Sequence, residues 1–277
     1  MEPPADSLPP ADPPAEPPRP PALYVERLSK SYAGTRALNA LSFRLEPGRI
    51  LGLVGPNGAG KTTALRSIAG VLPIQEGRVL VCGHDVAAEE VQAKRCLGWV
   101  PDDPEPFDAL TVWEHLEFTA ALFRVADWRA SATELLERFE LTAKRDALGG
   151  ELSRGMRQKL AFACTWLPRP RLVLLDEPLS GLDPRGIRSA KQAIRELAAG
   201  GTSVLLSSHL LDLIEALADE ILILDSGRQV FMGSLEAARE ALSPEAGSNL
   251  EEIFFAATGD GLRPESEPAA DAHDHEA

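Results

Sequence analysis

Gly55-Pro56-Asn57-Gly58-Ala59-Gly60-Lys61-Thr62-Thr63 follows the apolar run 50–54 and leads into a helical pattern through Leu65 and Ile68. The spacing G-x-x-x-x-G-K-[ST] between a strand and a helix is that of a phosphate cradle. Glycines at 55, 58 and 60 let successive backbone N–H groups converge on phosphate oxygens, and the positive end of the helix adds to the field. Lys61 is expected to reach the β- and γ-phosphates of a nucleotide, and Thr62 to offer its hydroxyl to Mg2+. A glycine-rich turn that only packed a helix on a sheet would have no use for that lysine and threonine.

Outward from this loop, apolar runs of strand length recur at 172–175, 204–206 and 221–224, separated by amphipathic helical patterns. That alternation belongs to an α/β fold with a mostly parallel sheet. Asp183 is placed to cap a helix with Pro184 at its first position, with Ile187, Ile194 and Leu197 on one face and a stop at Gly200-Gly201. Two regions break the alternation. Residues 23–46 and 77–86 read as hairpin-forming strands, and 111–147 is helical for too long to be one crossover. The expected architecture is a P-loop NTPase core over 23–245, with an antiparallel β subdomain and a helical insertion at about 103–165. Residues 1–22 hold ten of the 23 prolines, and 260–277 are acidic; both read as disordered tails, with a C-terminal segment at 246–259 between core and tail. His273 and His275, on such a tail, are not expected to form a metal site.

The stretch 171–178 ends a buried strand with two adjacent carboxylates, Asp176 and Glu177, at the carboxyl edge where parallel sheets bind ligands. Asp176 is expected to hold the metal through water. Glu177, one residue on in extended backbone and facing the other way, is expected to polarise a water against the γ-phosphate, which is general-base work. His209 follows the run 204–206 and precedes an amphipathic pattern at 210–218. A histidine there ordinarily caps a helix; at a third strand end of a nucleotide-binding sheet, a γ-phosphate contact is the expectation.

Composition sets the remaining bounds. The chain of 277 residues is 44% hydrophobic and 25% charged, enough to bury a sizeable core without lipid. No apolar run approaches the roughly 18 to 20 residues needed to span a bilayer. The proline-rich start lacks the basic and apolar regions of a signal peptide, so export of the chain is not expected. Of the net charge of −14, the two acidic ends account for −8, and the body shows no basic footprint for nucleic acid. Cys82, Cys96 and Cys164 lie far apart along the chain without metal-ligand spacing, which suits a reducing cytosol.

Leu152-Ser153-Arg154-Gly155-Met156 stands ahead of the acidic strand end and opens a helical pattern at 155–167. With the phosphate loop and the acidic pair, this order strongly resembles the ATP-binding subunit of ABC transporters, over about residues 22–256. On that resemblance Tyr32 matches the aromatic that stacks on adenine, and 98–102 the loop joining core and helical subdomain. Ser153 and Gly155 match the signature that clasps ATP held by the opposite subunit; a serine hydroxyl, an open N–H and a helix N-terminus suit phosphate there. Ser180-Gly181-Leu182-Asp183 is similar to the loop that touches the opposite subunit, and His209 to the switch histidine. Three residues depart from the commonest pattern. Arg154 and Met156 replace a glycine and a glutamine of the signature, and Asp102 stands where a glutamine near Mg2+ is usual. For Asp102 two readings stay open: a metal contact, or a side chain turned to solvent beside Asp103 and Glu105.

The resemblance implies an ATPase that uses ATP and Mg2+ and works as a dimer of ATPase domains, a homodimer if both copies are this chain. It also implies a separate integral membrane permease, a peripheral place on the cytoplasmic face of the cell membrane, and no nucleic-acid partner. Residues 99–102, 111–116 and 250–254 look most like ABC-2-type exporters, which makes export the expected direction. The alternative is a soluble ABC-type ATPase acting outside transport.

Overall fold

A computed structural model describes residues 20–242 and 250–258. The expected tails, with His273 and His275, therefore lie almost wholly outside the described residues. Alternating segments come first: β1 (Leu23–Tyr32) and β2 (Thr35–Leu45) form an antiparallel hairpin. Then comes β3 (Ile50–Val54), buried along its whole length, and α1 (Lys61–Ile68), which leaves the glycine loop. β4 (Glu76–Val81) returns to pair with β1, and β5 (His84–Asp85) completes an antiparallel sheet of order β2-β1-β4-β5.

After α2 (Glu90–Arg95) the chain enters the second sheet through β6 (Leu97–Val100), so 98–100 is strand and the joining loop starts later than expected. The reason is packing. Leu97 and Val100 are buried, and a Cβ on Gly98 would stand 2.6 Å from Thr165, so a helix lies directly on this short edge strand. The helical insertion follows as α3 (Val112–Phe123), α4 (Trp128–Arg138) and α5 (Arg154–Trp166). Thr111 and Glu114 open α3 with reciprocal side-chain to backbone bonds of 3.1 and 2.7 Å. The chain continues through β7 (Leu172–Asp176), α6 (Pro184–Ala199), β8 (Ser203–Ser207), α7 (Leu211–Leu217) and β9 (Glu220–Asp225). β10 (Arg228–Ser234), α8 (Leu235–Leu242) and α9 (Leu250–Thr258) end the described chain. The sheet order is β10-β9-β3-β8-β7-β6, parallel except for β10 at the edge.

Successive side chains of a strand point to opposite faces, and here both faces are covered. Leu51, Leu53, Leu174, Leu205 and Leu222 enter the core shared with α1 and the antiparallel sheet. Val54, Val173, Leu175, Leu206 and Ile223 enter the core shared with the helical insertion, α6 and α7. Continuous apolar runs in the sequence are the mark of this double burial. The fold also corrects the separation of two cysteines. Cys82 and Cys96 become neighbours; burial pushes the Cys82 thiol up to about 11, and the Cys96 thiol adds to the shift. Among the described residues no helix is long and apolar enough to cross a membrane.

Candidate nucleotide-binding site

The carboxyl ends of β3, β7 and β8 meet beside the N-terminus of α1. Gly60 caps that helix in the left-handed region, with φ 106°, and lies so near β2 that a Cβ would stand 2.6 Å from the Ala37 carbonyl oxygen. Only glycine fits both demands. No acidic residue occupies the first turn of α1, so its positive end is left for a ligand. Lys61 curls back over the loop, and its Nζ donates to the carbonyls of Gly55 at 2.6 Å and Pro56 at 3.2 Å. Burial lowers the Lys61 pKa, opposed by the charges of Glu177 and Asp176.

Asp176 ends β7 and is 2% exposed. Burial pushes its carboxyl above the ordinary range; the Thr62 hydroxyl opposes this, and Glu177 and Asp102 reinforce it. Glu177 departs from the extended backbone expected of it. It sits in the left-handed region, with φ 46°, because its N–H is held by the Ser207 carbonyl at 3.0 Å while its carboxylate is drawn toward the end of β8. There the carboxylate accepts from Ser208 Oγ at 3.2 Å and His209 Nδ1 at 2.8 Å. With the carboxylate accepting, Nδ1 is the donor and Nε2 is left for a further partner. The His209 side chain is 65% exposed, so that second nitrogen is accessible. A non-glycine residue in this region costs of order 1–3 kcal/mol and is found where surroundings impose it, often at functional sites. Ser208 carries no motif that would single it out in the sequence.

A cleft of about 550 Å³ brings together Asn57, Gly58, Ala59, Gly60, Lys61, Thr62 and Thr63 with Asp102, Glu177 and His209, while Gly55, Pro56, Asp176 and Ser208 are not among its lining residues. Ala37 and Ser180, which sequence reasoning did not place here, complete its wall. Asp102 is among the lining residues, with its side chain half exposed. Its carboxylate meets Arg154 Nη2 at 3.4 Å. Tyr32 is not among the lining residues. It stands 45% exposed at the tip of the β1–β2 hairpin, paired with Thr35 and with Lys30 Nζ 5.8 Å from its ring centroid. Ser153 and Gly155 also lie outside the cleft. Ser153 caps α5 by accepting from Met156 N at 3.4 Å, and a Cβ on Gly155 would stand 2.7 Å from the Gly181 carbonyl oxygen. Close approach to the chain's own 180–183 loop is thus a demand for glycine that the sequence does not display. The Thr62 hydroxyl and the carboxylates of Asp102 and Glu177 line the cleft, with the Asp176 carboxylate beside Thr62, and such oxygens suit a hard cation shared with phosphate oxygens. Among the described residues no group of three or more His, Cys, Asp or Glu side chains is placed to hold a metal ion.

Residues 38–180, just over half of the chain, match the family model described as ABC transporter. The chain is 38% identical over 211 residues to a daunorubicin resistance ATP-binding protein of Streptomyces coeruleorubidus, covering 76% of this chain and 66% of that protein. It is 35% identical over 231 residues to a Nod factor export ATP-binding protein of Burkholderia thailandensis, covering 83% and 75%. A solved ATP-binding subunit of an ABC transporter superposes with a TM-score of 0.82 at 30% identity, covering 85% of this chain and 99% of that one.

Proposed function

Because the chain belongs to the ABC transporter family of ATP-binding proteins, we propose that it hydrolyses ATP to drive export through a separate membrane subunit. The observation that carries the reading is the placement of the Glu177 carboxylate, fixed by Ser208 and His209 in the same cleft as Lys61 and the glycine loop. The loop N–H groups and the end of α1 bind the phosphates, and Lys61 exchanges its two carbonyl partners for β- and γ-phosphate oxygens. Mg2+, when bound with the nucleotide, neutralises charge between those phosphates; Thr62 would hold it directly and Asp176 through water. Glu177 takes a proton from the water that attacks the γ-phosphorus, a role typically worth ~10² to 10⁴ in rate. His209 donates from Nε2 to a γ-phosphate oxygen, as it does when the ring carries hydrogen on both nitrogens.

Ser153 and Gly155 stand at the start of α5, outside the chain's own cleft, which supports a role toward the nucleotide of a second copy. The reading has two cleft sites in a homodimer, with Tyr32 at the hairpin tip as the adenine contact. The exposed Phe107, Phe118 and Leu122 of the helical insertion form the surface for the membrane subunit. In this reading the chain sits peripherally on the cytoplasmic face of the membrane, in an exporter whose cargo the membrane subunit selects. Export is supported by the relatives named for daunorubicin resistance and Nod factor export.

The test is Glu177→Gln. It is expected to keep ATP affinity, to lose ~10² to 10⁴ of turnover, and to accumulate an ATP-bound dimer. Wild-type turnover in that variant removes Glu177 from the role. Recovery of the wild-type chain without a polytopic membrane protein would point to an ATPase acting outside transport.

A further inference from the structure

Arg154 is the first residue of α5, and its side chain joins three segments. Nη2 donates to Asp102 Oδ1 at 3.4 Å, in the loop after β6, and to Ser180 Oγ at 3.0 Å, in the loop after β7. On the way its methylenes cross Gly181, close enough that a Cβ there would meet Arg154 Cδ at 3.2 Å and Cγ at 3.3 Å. One turn along the same helix, Arg157 Nη2 lies 3.8 Å from Asp103 Oδ1. Two consecutive acids of the cleft-lining loop thus face two arginines on one side of α5. The guanidinium is suited to this task because it offers several donors in a fixed fork, where an ammonium presents a single point charge. Charge makes the contact consequential. Glu177 on the cleft wall and Asp176 behind it already act on the charge of Lys61, and a free carboxylate at 102 would add a second negative group lining the cleft.

We infer that Arg154 is a positioning residue of the nucleotide site: it clamps the Asp102 loop to the Ser180 loop and offsets the Asp102 charge before nucleotide arrives. The inference rests in part on the ATP-binding reading, so its test has one arm that is independent of nucleotide. In the nucleotide-free chain, amide hydrogen exchange at residues 101–106 and 180–183 should quicken in Arg154→Ala and by a similar factor in Asp102→Asn, and no further in the double variant. Unchanged exchange in Arg154→Ala, or additive effects of the two changes, overturns the clamp whether or not ATP binds. The second arm is ATP affinity with excess chelator and with Mg2+. Arg154→Ala should weaken metal-free binding ~1.5- to 5-fold, the range for a half-exposed pair, and weaken binding with Mg2+ less. Asp102→Asn in the same chain should restore the metal-free value, and Arg154→Lys should fall between. A loss equal in both conditions, or one that Asp102→Asn does not restore, overturns the charge role. A wild-type chain that binds no ATP under either condition would instead count against the functional reading, leaving the exchange result to decide the clamp.

Discussion

Asp176 shows how a single buried carboxylate can weigh against the stability of a fold. Its carboxylate is buried beside Glu177, and its pKa stands above the unfolded value, with burial as the main cause. Well below the ordinary carboxylate range the group is neutral in both states and contributes nothing. As pH rises through that range the unfolded chain ionises first, so stability falls, and the full cost is present once pH exceeds the raised native value. Asp176→Asn is therefore expected to make the nucleotide-free chain more resistant to urea at about pH 7.5, with the gap narrowing toward the carboxylate range near pH 4. The same variant should lose the Mg2+-dependent part of its ATP affinity. Equal stability of variant and wild type across this pH range would show that the buried carboxylate is relieved by other groups.

At the scale of an element, α6 depends on its first residue. Asp183 accepts from Gly186 N at 2.9 Å, and Pro184 fills the first helical position, where a missing N–H costs nothing. Asp183→Ala should cost about 1 kcal/mol, or roughly 2 to 4 °C in melting temperature for a chain of this size, while Asp183→Asn should cost little. Thermal denaturation of the three nucleotide-free proteins measures both. This helix was legible because its start, its apolar face and its stop are local signals that agree. The strand at 97–100 was not, because four residues with a glycine among them carry too little periodicity. What makes them a strand is the edge of β7 on one side and Thr165 above.

On the scale of the whole molecule, the helical insertion carries exposed aromatic and aliphatic side chains that do not line the cleft. Phe118 and Leu122 lie on α3, 48% and 63% exposed, and charged groups there should block a hydrophobic docking surface without touching the cleft. The double variant Phe118→Asp with Leu122→Asp is expected to bind ATP as the wild type does and to lose at least ~10-fold in recovery with membrane fractions of cells that hold the permease. Unchanged recovery would move the docking surface elsewhere.

The phosphate loop, the strand-end carboxylates, the helix caps and the mostly parallel sheet were all determined by the sequence itself. Each is written within a few residues, as a backbone that must turn, a helix end that must be capped, or a strand that must bury both faces. The tertiary structure alone decided which distant residues became neighbours. It turned Glu177 into the left-handed region so that Ser208 and His209 hold it, set Gly155 against Gly181, brought Ala37 to the cleft, and paired Asp102 with Arg154. No local pattern encodes such contacts, because they arise where separate loops converge at one end of the sheet, and their geometry is fixed by how the helices pack on it.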